Sequence, residues 1–242
     1  EPVGHMLGVL HPTVRWERSD DPSGLAAVVH PGEHVVVCCQ PFVEEPIDEY
    51  LGEVVSIRAA RGYIIADGFL MGAFLGYLNS AQQIFQETYG QGRYFPFYFS
   101  SLALSIGLSL LVNGMLVERL GIRPLCYGAL AAMAGLAVLF LPVVLWCDGA
   151  PPLWMTMAYL VLTFLAVGVL FGNLNALAME PLGHIAGIGA SVLGFAVTLI
   201  GIPIGTFVGQ SYDGGITPLV TGLAALCSLA IAAMHWGEMK GV

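Results

Sequence analysis

Residues 152–179 read PLWMTMAYLVLTFLAVGVLFGNLNALAM, a stretch without a single Asp, Glu, Lys or Arg. A helix needs about 20 mostly apolar residues to cross a bilayer. Connectors rich in Gly and Pro separate this stretch from its neighbours, which is typical of the turns between helices. Five more apolar runs of similar length occupy 62–85, 96–117, 124–147, 185–210 and 216–236. The sequence therefore predicts an all-α membrane protein with six transmembrane helices.

The composition of the whole chain agrees with this prediction. Of its 242 residues, 57% are hydrophobic and 10% are charged, whereas a soluble domain is about 25% charged. So few charges exclude a disordered chain, a nucleic-acid binder built on basic patches and an ordinary cytosolic enzyme. The five cysteines form no disulfide framework, and we expect neither a metal site nor a cofactor.

Charge divides the chain into two regions. The net charge is −9, and ten of the seventeen acidic residues lie in residues 1–60. We therefore expect a polar, acidic N-terminal segment over 1–57 and a six-helix bundle with a short tail over 58–242. Within the first region, 26–38 suggests a hairpin around Pro31 and Gly32, and 44–53 suggests an amphipathic helix. A chain that begins with Glu1 rather than Met is expected to be a fragment, a processed chain or an incomplete reading frame.

The basic residues of the bundle predict its orientation. Arg58, Arg61, Arg119, Arg123 and Lys240 all fall on one side of a six-span topology, and Arg93 alone falls on the other. Cytoplasmic loops carry an excess of Lys and Arg. We therefore expect a multi-pass protein of the inner (plasma) membrane, with both ends of the bundle in the cytoplasm.

Three motifs carry a resemblance to a known family. They are NGMLVERLGIRPL at 113–125, FGNLNALAMEPLGHIAGIGAS at 171–191 and SYDGGITPL at 211–219. Residues 58–236 resemble the second half of a major facilitator superfamily transporter, in particular the Bcr/CflA-like drug-resistance branch. The resemblance implies two three-helix repeats of opposite topology and proton-coupled efflux of small amphipathic molecules or drugs. Because the family has twelve spans in two halves, it also implies a partner, either a missing N-terminal half or a second copy.

Asp67 is the only acid well inside an apolar run, roughly 9 Å along the helix from Arg61 at 1.5 Å per residue. It is either a proton or cation site that faces the bundle interior, or an interfacial acid that reaches water or pairs with Arg61. At helical spacing Asp67 shares a stripe with Phe74, Leu78 and Gln82. This stripe would line a cavity with a carboxyl at one end and an amide at the other.

Uncharged amides supply further candidates for a substrate pathway. They can hydrogen-bond a substrate without the cost of a buried charge, and they equally often bind neighbouring helices, so both readings stay open. These residues are Asn79, Gln82, Asn113, Asn173 and Asn175. In the fifth run Gly201, Gly205 and Gly209 recur at four-residue spacing, which predicts a close helix contact or a helix that slides against its partner.

The resemblance also implies a cytoplasmic gating loop, whose charges would stabilise one state of the transporter. Glu180, on the same membrane side, is the expected partner of the loop. The loop residues are Gly114, Glu118, Arg119, Gly121 and Arg123.

Two other classes of protein remain as alternatives to a transporter. The first is a non-transporting integral membrane subunit or an inactive transporter fragment. The second is a membrane-embedded hydrolase, which is disfavoured because the apolar run that contains Ser191 holds no histidine. The partners expected of a transporter are the lipid bilayer, a small-molecule substrate and protons, without nucleic acid.

Overall fold

The computed structural model describes residues 15–18, 26–30, 33–35, 52 and 56–239. The chain divides into two compact units, 1–47 and 48–242. In the first unit, β1 (Arg15–Arg18), β2 (Ala26–His30) and β3 (Glu33–Val35) form an antiparallel sheet in that order. Val28 pairs with Val35 and His30 with Glu33, so the predicted pairing of these two segments is confirmed. Strand β1 was not predicted, and the helix expected over 44–53 lies outside the described residues apart from Gly52.

Six α-helices of 22 to 27 residues make up the described part of the second unit. A π-helical turn, Ile84–Thr88, extends the first helix, and a 3-10 turn, Glu180–Ile185, joins the fourth to the fifth. The helices are α1 (Arg58–Gln83), α2 (Phe95–Leu120), α3 (Ile122–Trp146), α4 (Leu153–Met179), α5 (Ala186–Gln210) and α6 (Thr217–Glu238). Their bounds lie within a few residues of the apolar runs in the sequence.

Five helical stretches in the described chain are long and apolar enough to cross a membrane, and the fourth of them spans 58 residues from Leu153 to Gln210. At 1.5 Å per residue a straight helix of that length would far exceed a bilayer of about 30 Å. It is not straight, because both of its ends lie at the same end of the bundle. The Tyr89 hydroxyl donates a hydrogen bond to the carbonyl of Pro151, just before the stretch begins. The hydroxyl of Tyr212, just after the stretch ends, shares a hydrogen bond with the hydroxyl of the neighbouring Thr88. The chain therefore reverses at Glu180–Ile185.

Helix α1 is the most buried of the six and packs mainly against α5 and α6. Two sets of glycines allow its close approach to α5. Branched side chains of α5 lie over Gly68, Gly72 and Gly76, and side chains of α1 lie over Gly201, Gly205 and Gly209. Backbones come close where both helices present small residues. The close packing predicted for the fifth run is thus confirmed, and α1 is its partner.

Candidate transport site and the two ends of the bundle

Asp67 lies in the bundle interior, in the first half of α1, where it is 4% exposed. Its Oδ1 atom is buried and accepts no hydrogen bond from any described residue. Arg61 does not pair with it, because the Arg61 guanidinium lies over the Trp236 ring, 5.4 Å from its centroid. In this structure Asp67 is therefore buried and is not paired with Arg61. A buried carboxyl without a protein partner can accept a proton or a cation that enters the bundle.

The rest of the predicted stripe on α1 is only partly buried. Phe74 meets Phe171 of α4 edge-on, with ring centroids 5.4 Å apart, and lies 6.0 Å from Phe164. Gln82 is exposed, and Asn79 is exposed while its amide donates to the Gly205 carbonyl of α5 at 3.2 Å. The α1 stripe therefore begins at the buried Asp67, passes an aromatic contact with α4 and ends at the exposed amide of Gln82.

Asn113 and Asn173 form a reciprocal amide pair between α2 and α4. The Asn173 amide donates to Asn113 Oδ1 at 2.8 Å, and the Asn113 amide donates back to Asn173 Oδ1 at 3.3 Å. Each side chain thus satisfies part of the hydrogen-bonding capacity of the other. Asn173 is 5% exposed. In this conformation the pair connects helices. Asn175, by contrast, is exposed on α4.

The loop that resembles a gating motif is a single-residue turn between α2 and α3. Gly121 occupies this turn with φ +81°. Residues other than glycine rarely adopt this backbone conformation. Gly114, Glu118 and Arg119 are exposed on the last turns of α2. Within this loop, Arg123 makes the ion pair to Glu180, with Nη2 and Oε2 3.0 Å apart. Both side chains are more than half exposed, so the pair contributes about 0–1 kcal/mol.

Deeper at the same end, which we call the arginine end, Glu238 joins three helices. It accepts hydrogen bonds from Tyr63 of α1 at 2.5 Å and from Tyr127 of α3 at 3.0 Å. Sequence reasoning missed all three residues. Each of them lies near the end of an apolar run. Tyrosine is common at such positions, and the sequence does not show which residue its hydroxyl contacts.

The opposite end is held by its loops. Tyr89 donates to Pro151 O at 2.9 Å and shares a hydrogen bond of 2.6 Å with Thr156. Burial raises the pKa of the Tyr89 hydroxyl, so it stays a neutral hydrogen-bonding group there. Thr88 bonds the Tyr212 hydroxyl at 2.8 Å and the Gly214 carbonyl at 2.9 Å. These contacts connect the π-helical turn after α1 to the loops that precede α4 and α6.

A bundle of long apolar helices with one buried acid in its interior defines a multi-pass membrane protein. Over 164 residues the chain is 26% identical to the "Uncharacterized MFS-type transporter YdgK" of Bacillus subtilis (strain 168), where MFS denotes the major facilitator superfamily. The match covers 66% of this chain and 39% of that protein, so the matched region is about two fifths of the relative's length. No family model and no solved structure matches. The similarity supports a membrane transporter of this superfamily.

Proposed function

We propose that the chain is one six-helix half of a secondary active transporter that exports small amphipathic molecules in exchange for protons. In this proposal α1 to α6 each cross the plasma membrane once, and the arginine end faces the cytoplasm. The branch of the superfamily is the Bcr/CflA-like drug-resistance branch. The proposal is supported by the similarity to an MFS-type transporter and by the reversal of the chain at Glu180–Ile185.

The observation that carries the proton coupling is the environment of Asp67. It is the only Asp, Glu, Lys or Arg in the apolar interior of the bundle, since the other charges of α1 to α6 lie in their end turns. Placing a charge at the bilayer centre costs about 2.5–3.5 kcal/mol on insertion scales. A carboxyl that is retained there without a protein partner is suited to bind a proton and to release it when the site opens to the other side.

The substrate would lie along the exposed part of the α1 stripe. Phe74 offers an aromatic surface on this stripe, and the amides of Gln82 on α1 and of Asn175 on the facing helix α4 are exposed. An aromatic surface beside neutral hydrogen-bonding groups suits an amphipathic molecule. The loop around Gly121 and the Arg123–Glu180 pair would bias two nearly balanced states, for which a weak pair is sufficient.

A second half would complete the path. Large apolar side chains of α2 and α5 are exposed in the described chain, among them Leu104, Leu111, Phe195 and Phe207. These faces contact lipid, a missing N-terminal half or a second copy of the chain. Alternating access then arises when one half rocks against the other around the site.

The test is Asp67→Asn in membrane vesicles from cells that express the chain from its native locus. Asparagine keeps the size of the side chain and removes the titrating group. We expect gradient-driven efflux to fall to background, while substrate exchange without a proton gradient persists. Exchange is measured as counterflow of a labelled amphipathic compound.

Glu87→Gln is the matched control, since Glu87 is an exposed acid in the π-helical turn at the opposite end of α1. Efflux should survive this change. Normal gradient-driven efflux in Asp67→Asn vesicles would contradict proton coupling through Asp67. Membrane insertion without flux in the unsubstituted chain would favour a non-transporting subunit.

A further inference from the structure

Two arginines at the start of α1 have no acidic partner among the described residues. Arg58 and Arg61 are half-buried, and the Nε atom of each is buried without a hydrogen-bond acceptor. An unsatisfied buried donor is costly, and more so when the group is charged. Both side chains lie over one indole, with the guanidinium carbons of Arg58 and Arg61 4.9 Å and 5.4 Å from the centroid of Trp236.

A backbone contact brings these groups together. A Cβ at Gly62 would lie 2.6 Å from the Gly237 Cα atom, and one at Gly237 would lie 2.9 Å from the Gly62 Cα atom. Since neither residue has a side chain, α1 and α6 meet at van der Waals distance one residue away from Trp236. The two arginines and the indole are therefore held in place by the helix crossing itself.

The local electrostatics favour an anion at this position. A helix N-terminus carries a partial positive charge, so arginines in the first turn are unfavourable there. Ile57 supplies no side-chain cap to α1, and no acidic residue lies in its first turn. The nearby carboxylate of Glu238 is bound by Tyr63 and Tyr127. Among the described residues, positive charge thus accumulates at the start of α1 without a carboxylate to offset it.

We propose that Arg58, Arg61 and Trp236 bind the phosphate of an anionic lipid headgroup. Guanidinium groups hold phosphate through paired, charge-assisted hydrogen bonds. Basic pockets between transmembrane helices bind anionic headgroups, and tryptophan prefers the depth of the headgroups. Trp236 is 38% exposed, so its ring covers the glycerol region of the lipid while the arginines bind the phosphate. Free phosphate shares the chemistry of the headgroup, and the experiment separates the two sources.

The test uses the purified 242-residue chain in a neutral detergent. Native mass spectrometry and fluorescence titration measure the binding of phosphatidylglycerol and of phosphatidylcholine with identical acyl chains. We expect phosphatidylglycerol to bind about tenfold more tightly than phosphatidylcholine. In the double variant Arg58→Gln/Arg61→Gln this preference should disappear. Arg93→Gln is the matched control, because Arg93 is an exposed arginine near the opposite end of the bundle, and it should keep the preference.

A third variant and a competitor complete the test. Arg58→Lys/Arg61→Lys keeps both charges but loses the planar fork, so we expect an intermediate preference. Monodispersity in size-exclusion chromatography shows that each variant is folded. An unchanged preference in the glutamine double variant would overturn the proposal. Displacement of the lipid by millimolar inorganic phosphate, with equal binding of both lipids, would overturn the lipid as the source of the anion.

Discussion

At the scale of residues, one acidic side chain, Asp67, distinguishes the apolar interior of this bundle. Asp67 could be selected from the sequence because long uncharged runs surround it, and an acid in such a run needs a reason. The sequence does not predict that Asp67 lacks a protein partner. That depends on Arg61, which lies roughly 9 Å along the helix from Asp67 and whose guanidinium the α1–α6 crossing directs onto Trp236.

The amide pair of Asn113 and Asn173 gives a prediction at the same scale. Replacing either residue with alanine leaves the other amide without its partner, so we expect the two single substitutions to be non-additive. Hydrogen-bonded pairs in membrane proteins contribute about 0.6 kcal/mol, with a maximum near 1.7 kcal/mol. A double-mutant cycle, measured by unfolding in mixed detergent, should give a coupling energy of about 0.5–1.5 kcal/mol.

The control cycle replaces Asn173→Ala with Asn175→Ala and keeps Asn113→Ala as the other substitution, since Asn175 lies on the same helix as Asn173 but is exposed. Asn113→Ala and Asn175→Ala should be additive. A coupling near zero between Asn113 and Asn173 would mean that the pair does not hold α2 to α4.

At the scale of elements, the contact between α1 and α5 depends on six glycines. The spacing of Gly201, Gly205 and Gly209 was visible in the sequence and predicted a close contact. Gly68, Gly72 and Gly76 have the same four-residue spacing, and the structure shows that their helix is the partner. Large Phe, Leu and Met side chains between these glycines made the spacing less conspicuous in the sequence. Helix bounds were predictable because apolar runs and Gly or Pro connectors determine them, whereas pairing of helices depends on shape.

Gly205→Ala tests this contact. A Cβ there would lie 2.4 Å from the Leu75 Cβ atom and 3.1 Å from the Gly72 O and Gly76 N atoms of α1. Because backbone atoms cannot move aside as a side chain can, α1 and α5 must separate. Overpacking of this kind costs about 1–3 kcal/mol. We expect a loss of that size in the free energy of unfolding in detergent.

Gly194→Ala is the control on the same helix, because a Cβ at Gly194 would meet no atom within 4 Å. Its stability should be unchanged or slightly higher, since alanine is the better helix former. Equal stability of the Gly205 and Gly194 variants would contradict a close contact between α1 and α5.

The six helices of the second unit alternate in direction along the chain. The start of α1, the start of α3 and the end of α6 meet around Glu238 at the arginine end. At the opposite end the hydroxyl of Tyr89 joins the region after α1 to the start of α4. Basic residues in the sequence predicted the same alternation, because a positive side of a membrane protein collects Lys and Arg from every second connector.

The bundle of six membrane crossings that we propose would amount to half of an MFS-type transporter. It depends most on the long stretch from Leu153 to Gln210, which must cross the membrane twice. The measurement is labelling of single cysteines by a membrane-impermeant maleimide, in a chain whose five native cysteines are replaced. Suitable exposed positions are Leu120 and Gly183 at the arginine end and Ala150 at the opposite end.

For six crossings we expect Ala150→Cys to react with reagent added outside intact cells. Leu120→Cys and Gly183→Cys should react only after the membrane is opened. Gly183 decides the question, because a Cβ there meets no atom within 4 Å and the position lies in the turn that reverses the chain. Labelling of Gly183→Cys from outside, on the same side as Ala150→Cys, would contradict the six-crossing bundle and with it the half-transporter.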